Sequence, residues 1–213
     1  MTFGKISSNK QSGFSLQELV VALAIAAAIV SVGVPGFNST LDNQRLLAAT
    51  DDVVSTLHLA RSEAQRRQGH VTICPSADGA GCRPDSSYWR DGWIVVAKSA
   101  GTNLGRVERD DHVIQSLPAL HSTIGMTSIG GIVDFISFRP DGTIGAPGAG
   151  GTVTVCDDRG DAAARGIVVQ ASGEWSISRD RDHAGSPLTC SLQRLTETSS
   201  ETGARAPGRS TAD

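Results

Sequence analysis

A run of apolar residues near the amino terminus constrains this chain more than any other feature. From Leu19 to Val34 the only polar side chain is Ser31, and Lys5 and Lys10 precede the run without an acidic residue among the first thirteen positions. Together with residues 14–16 the segment has about 20 residues, the length that an α-helix needs to cross a hydrocarbon core. The sequence therefore predicts a membrane-spanning helix with a cytoplasmic amino terminus and an exported remainder.

One carboxylate, Glu18, lies at the start of this run. A charged side chain inside an apolar segment costs on the order of 2.5–3.5 kcal/mol, so such a residue is expected to have a function and a partner. If the chain is cut after Gly13, the new amine of Phe14 is the nearest cation, in the same subunit or in a neighbouring one.

Two simpler interpretations of the amino terminus stay open. An ordinary secretory signal peptide would use Lys5 and Lys10 as its basic region and residues 19–32 as its apolar region, and it would be cut after that run and discarded. A plain single-pass anchor would not be processed at all. Both interpretations leave Gly13 and Glu18 without a role.

The order Gly13, Phe14, then Glu18 ahead of an apolar helix resembles type IV prepilins and the pseudopilins of type II secretion. The resemblance implies that a prepilin peptidase cleaves between Gly13 and Phe14, that the new Phe14 amine is methylated, and that Glu18 acts in assembly with other pilins. Gln17 departs from the Ile or Val that usually precedes the Glu. The departure is mild, because the peptidase chiefly needs the glycine.

The helix is predicted to run from Phe14 to Gln68, through a possible kink at residues 35–36, and to stop at Gly69. From residue 40 onward its pattern is amphipathic. The apolar positions with helical spacing are Leu47, Val54, Leu57, Ala60 and Ala64.

After residue 70 the pattern changes to short β-rich runs separated by turn signals such as Asp91-Gly92 and Ser172-Gly173. The runs are Val71–Cys74, Trp93–Val96, Val113–Gln115, Val133–Phe138, Thr152–Cys156, Ile167–Gln170 and Trp175–Ile177. A helix followed by consecutive strands predicts an α+β fold, in which the long helix packs on a mostly antiparallel sheet. The predicted segments are a leader (1–13), a transmembrane and assembly helix (14–36), an amphipathic helical half (37–69), a β-rich periplasmic head (70–194) and a disordered tail (195–213).

Motifs within the predicted head narrow the resemblance to the GspH/FimT group of minor pilins and pseudopilins. They are Leu59–Ala64, Val71–Cys74, Trp89–Val96 and Phe138–Gly142. The resemblance implies a non-catalytic subunit, without a cofactor, that primes or caps a type IV pilus. It also leaves open an H-type minor pseudopilin of a type II secretion system. The expected location is the inner membrane, with the head in the periplasm and assembly into a filament.

Four cysteines lie on the predicted exported side: Cys74, Cys82, Cys156 and Cys190. In an oxidising compartment an even number predicts two disulfides, and three pairings are possible. We favour Cys74 with Cys82, which closes a small loop, and Cys156 with Cys190, which fastens the last strands. A zinc site is the alternative, although no pair with zinc-ligand spacing occurs.

Catalytic and ligand-binding motifs are scarce in the sequence. The histidines are scattered, and no nucleophile-elbow or phosphate-loop motif occurs. Two acidic clusters that calcium could bind contain interleaved arginines, which favours solvated loops. Their carboxylates are Asp157, Asp158, Asp161, Asp180 and Asp182.

Some FimT-like pilins are DNA receptors at a pilus tip, and they carry an arginine pair after the glycine that precedes the last strand. Here Gly173 is followed by Glu174 and Trp175, so that motif is absent. Removal of the leader lysines also changes the net charge from −3 to −5, which does not favour nucleic acid. DNA is therefore a possible but not a favoured partner. The arginines that could contact its phosphates are Arg165, Arg179, Arg181 and Arg194.

Overall fold

The computed structural model describes residues 15–83, 86–99, 103–145 and 150–190. Its first element is the helix α1, Leu16–Arg67, which continues through residues 35 and 36. The chain divides into two units, Met1–Asn43 and Gln44–Asp213. The first unit contains the amino-terminal part of α1, and the second contains the rest of α1 and all the strands found in the described residues. The predicted leader and the predicted tail lie outside the described residues.

Eight strands follow the helix among the described residues of the second unit. They are β1 (Val71–Pro75), β2 (Trp93–Ala97), β3 (His112–Leu117), β4 (Gly125–Gly130), β5 (Ile136–Phe138), β6 (Gly150–Cys156), β7 (Arg165–Gln170) and β8 (Trp175–Ser178). They form two four-stranded sheets with the orders β3-β2-β1-β5 and β4-β6-β7-β8, and every pair is antiparallel. The predicted α+β class is confirmed, with two sheets where the sequence suggested one. Short 3-10 helices at Ser86–Asp91 and Gly160–Ala163 complete the described elements.

The strand prediction was wrong at two adjoining places. It missed β4, which begins and ends with a glycine and is rich in small residues, so its local β propensity is weak and its pairing with β6 decides its structure. It also began the next strand at Val133, whereas β5 begins at Ile136. The Val133 carbonyl instead accepts hydrogen bonds from the Trp89 indole at 3.0 Å and the Ser128 hydroxyl at 2.8 Å.

The carboxyl-terminal half of α1 packs against both sheets through one buried stripe. Its members are Leu46, Ala49, Val53, Leu57, Ala60 and Ala64. The sequence placed Leu47 in this stripe, and that was wrong: Leu46 is 0% exposed and Leu47 is 48% exposed. Because Leu46 and Leu47 are adjacent, the helical spacing alone did not decide which of them faces the core. Thr56 is a polar member of the buried stripe, and its hydroxyl accepts a hydrogen bond from Trp93 Nε1 at 3.1 Å.

The helix ends in a Schellman motif, and its left-handed residue is one position before the predicted stop at Gly69. Gln68 adopts the left-handed conformation, with φ of 52°, and the Gly69 amide donates to the Ala64 carbonyl at 3.2 Å. Gly69 is thus the residue after the left-handed position, and its freedom at positive φ is not used.

Within the part of the chain that the structure describes, no helix is both long enough and apolar enough to cross a membrane.

Candidate assembly surface

The amino-terminal part of α1 exposes a dense set of large apolar side chains. Eight of them are 52% to 81% exposed, and we call them the apolar helix surface: Leu16, Leu19, Val20, Val21, Leu23, Ile25, Ile29 and Val30. Soluble monomers rarely leave contiguous apolar area of this kind uncovered, because its burial is strongly favourable. A partner is therefore expected to cover this surface.

Glu18 lies within the first turn of α1, directly before Leu19 of that surface, and its side chain is exposed. Its backbone amide donates to the Ser15 hydroxyl at 3.3 Å and to the Ser15 carbonyl at 3.1 Å. The structure therefore places the carboxylate where the apolar surface begins. The predicted cleavage residues Gly13 and Phe14 lie outside the described residues.

The structure joins Cys74 to Cys82 and Cys156 to Cys190, the pairing that the sequence favoured. Each disulfide belongs to a small apolar cluster separate from the main core. Cys74 packs with Ile94, and Cys156 and Cys190 pack with Leu188. Each bridge thus fastens a segment outside the strands.

Three carboxylates of the acidic clusters are engaged by other groups of the protein. Asp157 pairs with Arg159, the Asp161 carboxylate accepts the Cys190 amide at 2.6 Å, and the Asp182 carboxylate accepts two amides of its own turn. Among residues 15–83, 86–99, 103–145 and 150–190, no group of three His, Cys, Asp or Glu side chains could hold a metal ion.

Two of the four arginines proposed for DNA contact lie close together in the described structure. Arg165 lies near Arg179: its pKa is lowered by burial and then by the positive charge of Arg179 and of Arg159. Its guanidinium also donates to the carbonyls of Ala163 and Ala164 at 3.0 and 3.2 Å.

Of the other two arginines, Arg181 is bound within its own turn. Arg181 donates to the Gly185 carbonyl at 2.7 Å within its own turn and lies 4.0 Å from Asp180. Arg194 lies outside the described residues.

Two of the sequence motifs meet at the carboxyl-terminal end of α1. A Cβ atom added to Gly142, in the Arg139–Gly142 turn, would lie 2.7 Å from Gln65 Nε2 and 3.0 Å from Arg61 Nε. The neighbouring turn packs even more closely, since a Cβ on Gly173 would lie 1.9 Å from the Gly142 carbonyl oxygen. The Arg139–Gly142 turn, which follows β5, therefore lies against both α1 and the turn between β7 and β8.

Sequence reasoning missed a buried ion pair between Lys98 and Asp111. Their side chains are 1% and 0% exposed, and the ammonium also donates to the Arg106 carbonyl at 2.6 Å. The available signal was that Lys98 is the only lysine after the leader.

Comparisons with known proteins agree with the motifs. The model of a family described as type II transport protein GspH matches residues 49–173. No curated protein matches the chain in sequence.

Two crystal structures of the type IV minor pilin FimU of Pseudomonas aeruginosa strain PAO1 are similar in structure. The form in space group P21 has 16% identity and a TM-score of 0.48, covering 64% of this chain and 90% of that chain. The form in space group P65 has 16% identity and a TM-score of 0.42, covering 62% and 91%.

Proposed function

Because the chain belongs to the GspH family of type II transport proteins, we propose that it is a non-catalytic structural subunit of a pilin-like filament. The apolar helix surface is the observation that carries the proposal. Side chains such as Leu23 and Ile29, which are 62% and 67% exposed, need apolar partners, and the corresponding helices of neighbouring subunits provide them in a filament.

Processing and charge complete the proposed route into the filament. A prepilin peptidase at the inner membrane removes the leader after Gly13, and the methylated amine of Phe14 becomes the amino terminus. Glu18 then offsets the Phe14 amine of a neighbouring subunit in an apolar environment. The two disulfides support a periplasmic location for the head, since such bonds persist in oxidising compartments.

Of the two kinds of filament, we propose a type IV pilus, in which the chain primes or caps assembly. The similarity of Leu59–Ala64 to FimT-like pilins supports this choice. The second candidate is a minor pseudopilin of a type II secretion system, and the name of the matching family favours it.

A role as a DNA receptor is a third and weaker proposal. It rests on the proximity of Arg165 and Arg179, and the engagement of Arg165 by two backbone carbonyls counts against it.

Processing is tested by the intact mass of the protein extracted from membranes. We expect a chain that begins at a methylated Phe14 and retains α1. A bulky residue in place of Gly13 should leave the precursor uncut, because the peptidase needs the glycine. A mature chain that begins near Val34 would mean that the apolar run is a discarded signal peptide, and the proposal would fail.

The kind of filament is tested by deleting the gene and restoring it in trans. For a pilus subunit we expect loss of surface pili with normal protein secretion, and the purified pili of the restored strain should contain the mature chain. Retention of secreted enzymes in the periplasm, with normal piliation, would replace the pilus by the secretion pseudopilus. Normal piliation together with normal secretion would contradict both.

A further inference from the structure

Ser15 occupies the position immediately before α1, which begins at Leu16. Its hydroxyl oxygen accepts a hydrogen bond from the Glu18 amide at 3.3 Å, and its carbonyl accepts the amides of Glu18 at 3.1 Å and Leu19 at 3.2 Å. A side-chain oxygen that accepts the amide three residues later is the contact of an N-cap residue. Ser15 therefore offers the Glu18 amide two acceptors, its backbone carbonyl and its hydroxyl, at the end of the helix where amides lack the usual acceptor four residues earlier.

The residue types at these positions fit a capping box. That motif has Ser or Thr at the N-cap and Glu or Gln three residues later, and Ser15 and Glu18 have this spacing. A carboxylate in the first turn also interacts favourably with the positive end of the helix dipole. The place of Glu18 in the first turn thus depends on where the helix starts, and the Ser15 hydroxyl stabilises that start.

We infer that Ser15 is a positioning residue for assembly, whose hydroxyl fixes the first turn of α1 and thereby the place at which Glu18 presents its carboxylate. The inference rests on the proposed function, in which Glu18 acts between subunits. Ser15 itself contacts no neighbouring subunit in this role, and it acts through Glu18.

Substitution of an N-cap serine by alanine typically costs about 1 kcal/mol, which corresponds to a change of roughly five-fold in an equilibrium. Threonine keeps the hydroxyl and is also a good N-cap residue. Ser15→Ala should therefore loosen the first turn, whereas Ser15→Thr should retain it.

The test expresses each variant together with the wild-type protein and compares their incorporation into filaments, counting only chains with the mature amino terminus. We expect Ser15→Ala to incorporate roughly five-fold less than the wild type. Ser15→Thr should incorporate nearly as well as the wild type.

Hydrogen exchange at the amides of Glu18 and Leu19, in full-length protein in detergent micelles, provides a readout that needs no processing. Exchange should be several-fold faster in Ser15→Ala than in the wild type, and close to wild type in Ser15→Thr.

The outcomes separate this inference from the proposed function. Full incorporation of Ser15→Ala, or unchanged exchange at Glu18 and Leu19, would overturn the positioning role while the filament proposal stands. Equal loss in Ser15→Ala and Ser15→Thr would also overturn it, because the shared hydroxyl would then be irrelevant. Full incorporation of Glu18→Val would instead contradict the role of Glu18 in the proposed function.

Discussion

Asp111 holds both ends of the connection between β2 and β3. One carboxylate oxygen accepts the Ser99 amide at 2.9 Å, and the other accepts the Glu108 amide at 2.8 Å and the Lys98 ammonium. Because the Lys98 and Asp111 side chains are almost fully shielded from water, loss of one partner would leave the other charge uncompensated. Substitution of either residue should therefore lower the stability of the head.

The pKa of Asp111 gives this pair a testable pH dependence. Burial raises the pKa, but the hydrogen bonds from Lys98, Glu108 and Ser99 outweigh it, so the pKa lies below its usual value. A carboxyl group with a lowered folded-state pKa stabilises the fold above its unfolded pKa of about 3.9, and this contribution is lost as the pH falls through the folded value.

We therefore expect Asp111→Asn to lower the free energy of unfolding by about 3–5 kcal/mol at pH 7. The difference from the wild type should shrink below about pH 4. Urea unfolding between pH 7 and pH 3 measures both quantities, and only the difference is informative, because Asp78 and Asp141 also have pKa values lowered by hydrogen bonds.

The matched control is Asp180→Asn, at a carboxylate that is 82% exposed, and it should change stability little. A constant difference between Asp111→Asn and the wild type at every pH would contradict this account of Asp111.

The sequence could indicate Lys98 but not its partner. A single lysine among arginines is visible in the composition, whereas the choice between the adjacent Asp110 and Asp111 depends on which side chain the β2–β3 connection turns inward. That direction is a property of the folded loop.

At the scale of elements, the segment after β8 is held against its sheet by several contacts. The His183 amide donates to the Thr152 hydroxyl at 2.8 Å, and Leu188 approaches Gly166 so closely that a Cβ atom there would lie 2.7 Å from its side chain. The Cys156–Cys190 bridge fastens the end of this segment.

The two disulfides should differ in their contribution to stability. The Cys156–Cys190 bridge spans 34 residues and the Cys74–Cys82 bridge spans 8. In the chain-entropy model these loops correspond to about 4 and about 2.5 kcal/mol. Replacing both cysteines of each bridge by alanine and measuring urea unfolding should therefore show the larger loss for the longer loop, and the reverse order would contradict it.

The turn between β7 and β8 requires glycine for two reasons. Gly173 has a φ of +77°, and a Cβ atom there would collide with the Gly142 carbonyl. We expect Gly173→Ala to lower the free energy of unfolding by about 1–3 kcal/mol or more. Gly81→Ala, where an added Cβ meets nothing within 4 Å, is the matched control in a thermal-unfolding comparison. Equal stability of the two variants would show that the packing of these turns is not restrictive.

Elements with a strong local pattern were predicted well, and those that depend on distant partners were not. The helix and β6 carry their own periodicity. β4 gains its structure from pairing with β6. Leu188 packs over Gly166, which is far from it in the chain. Neither relation has a local signal.

At the scale of the whole molecule, two of the sequence motifs that indicate the family also pack against each other in the fold. The motifs that contain Arg61 and Gly142 carry the resemblance to the GspH/FimT group, and the structure brings these two residues together. The proposed assembly route depends instead on the first turns of α1, where the sequence shows the unusual carboxylate and the structure shows the exposed apolar side chains around it.

The most direct test of the account is filament incorporation of Glu18→Val in a strain that lacks the wild-type gene. If α1 were only an anchor, removal of the charge would be neutral or favourable. In assembly, the loss should leave the Phe14 amine of a neighbour uncompensated, at roughly 3–5 kcal/mol. Gln17→Val, which adds the same apolar side chain one position earlier, is the matched control and should assemble normally.

We predict that Glu18→Val is processed, localised and folded like the wild type but is absent from purified filaments, with loss of piliation or secretion. Full incorporation with a full phenotype would contradict the claim that this chain enters a filament through Glu18.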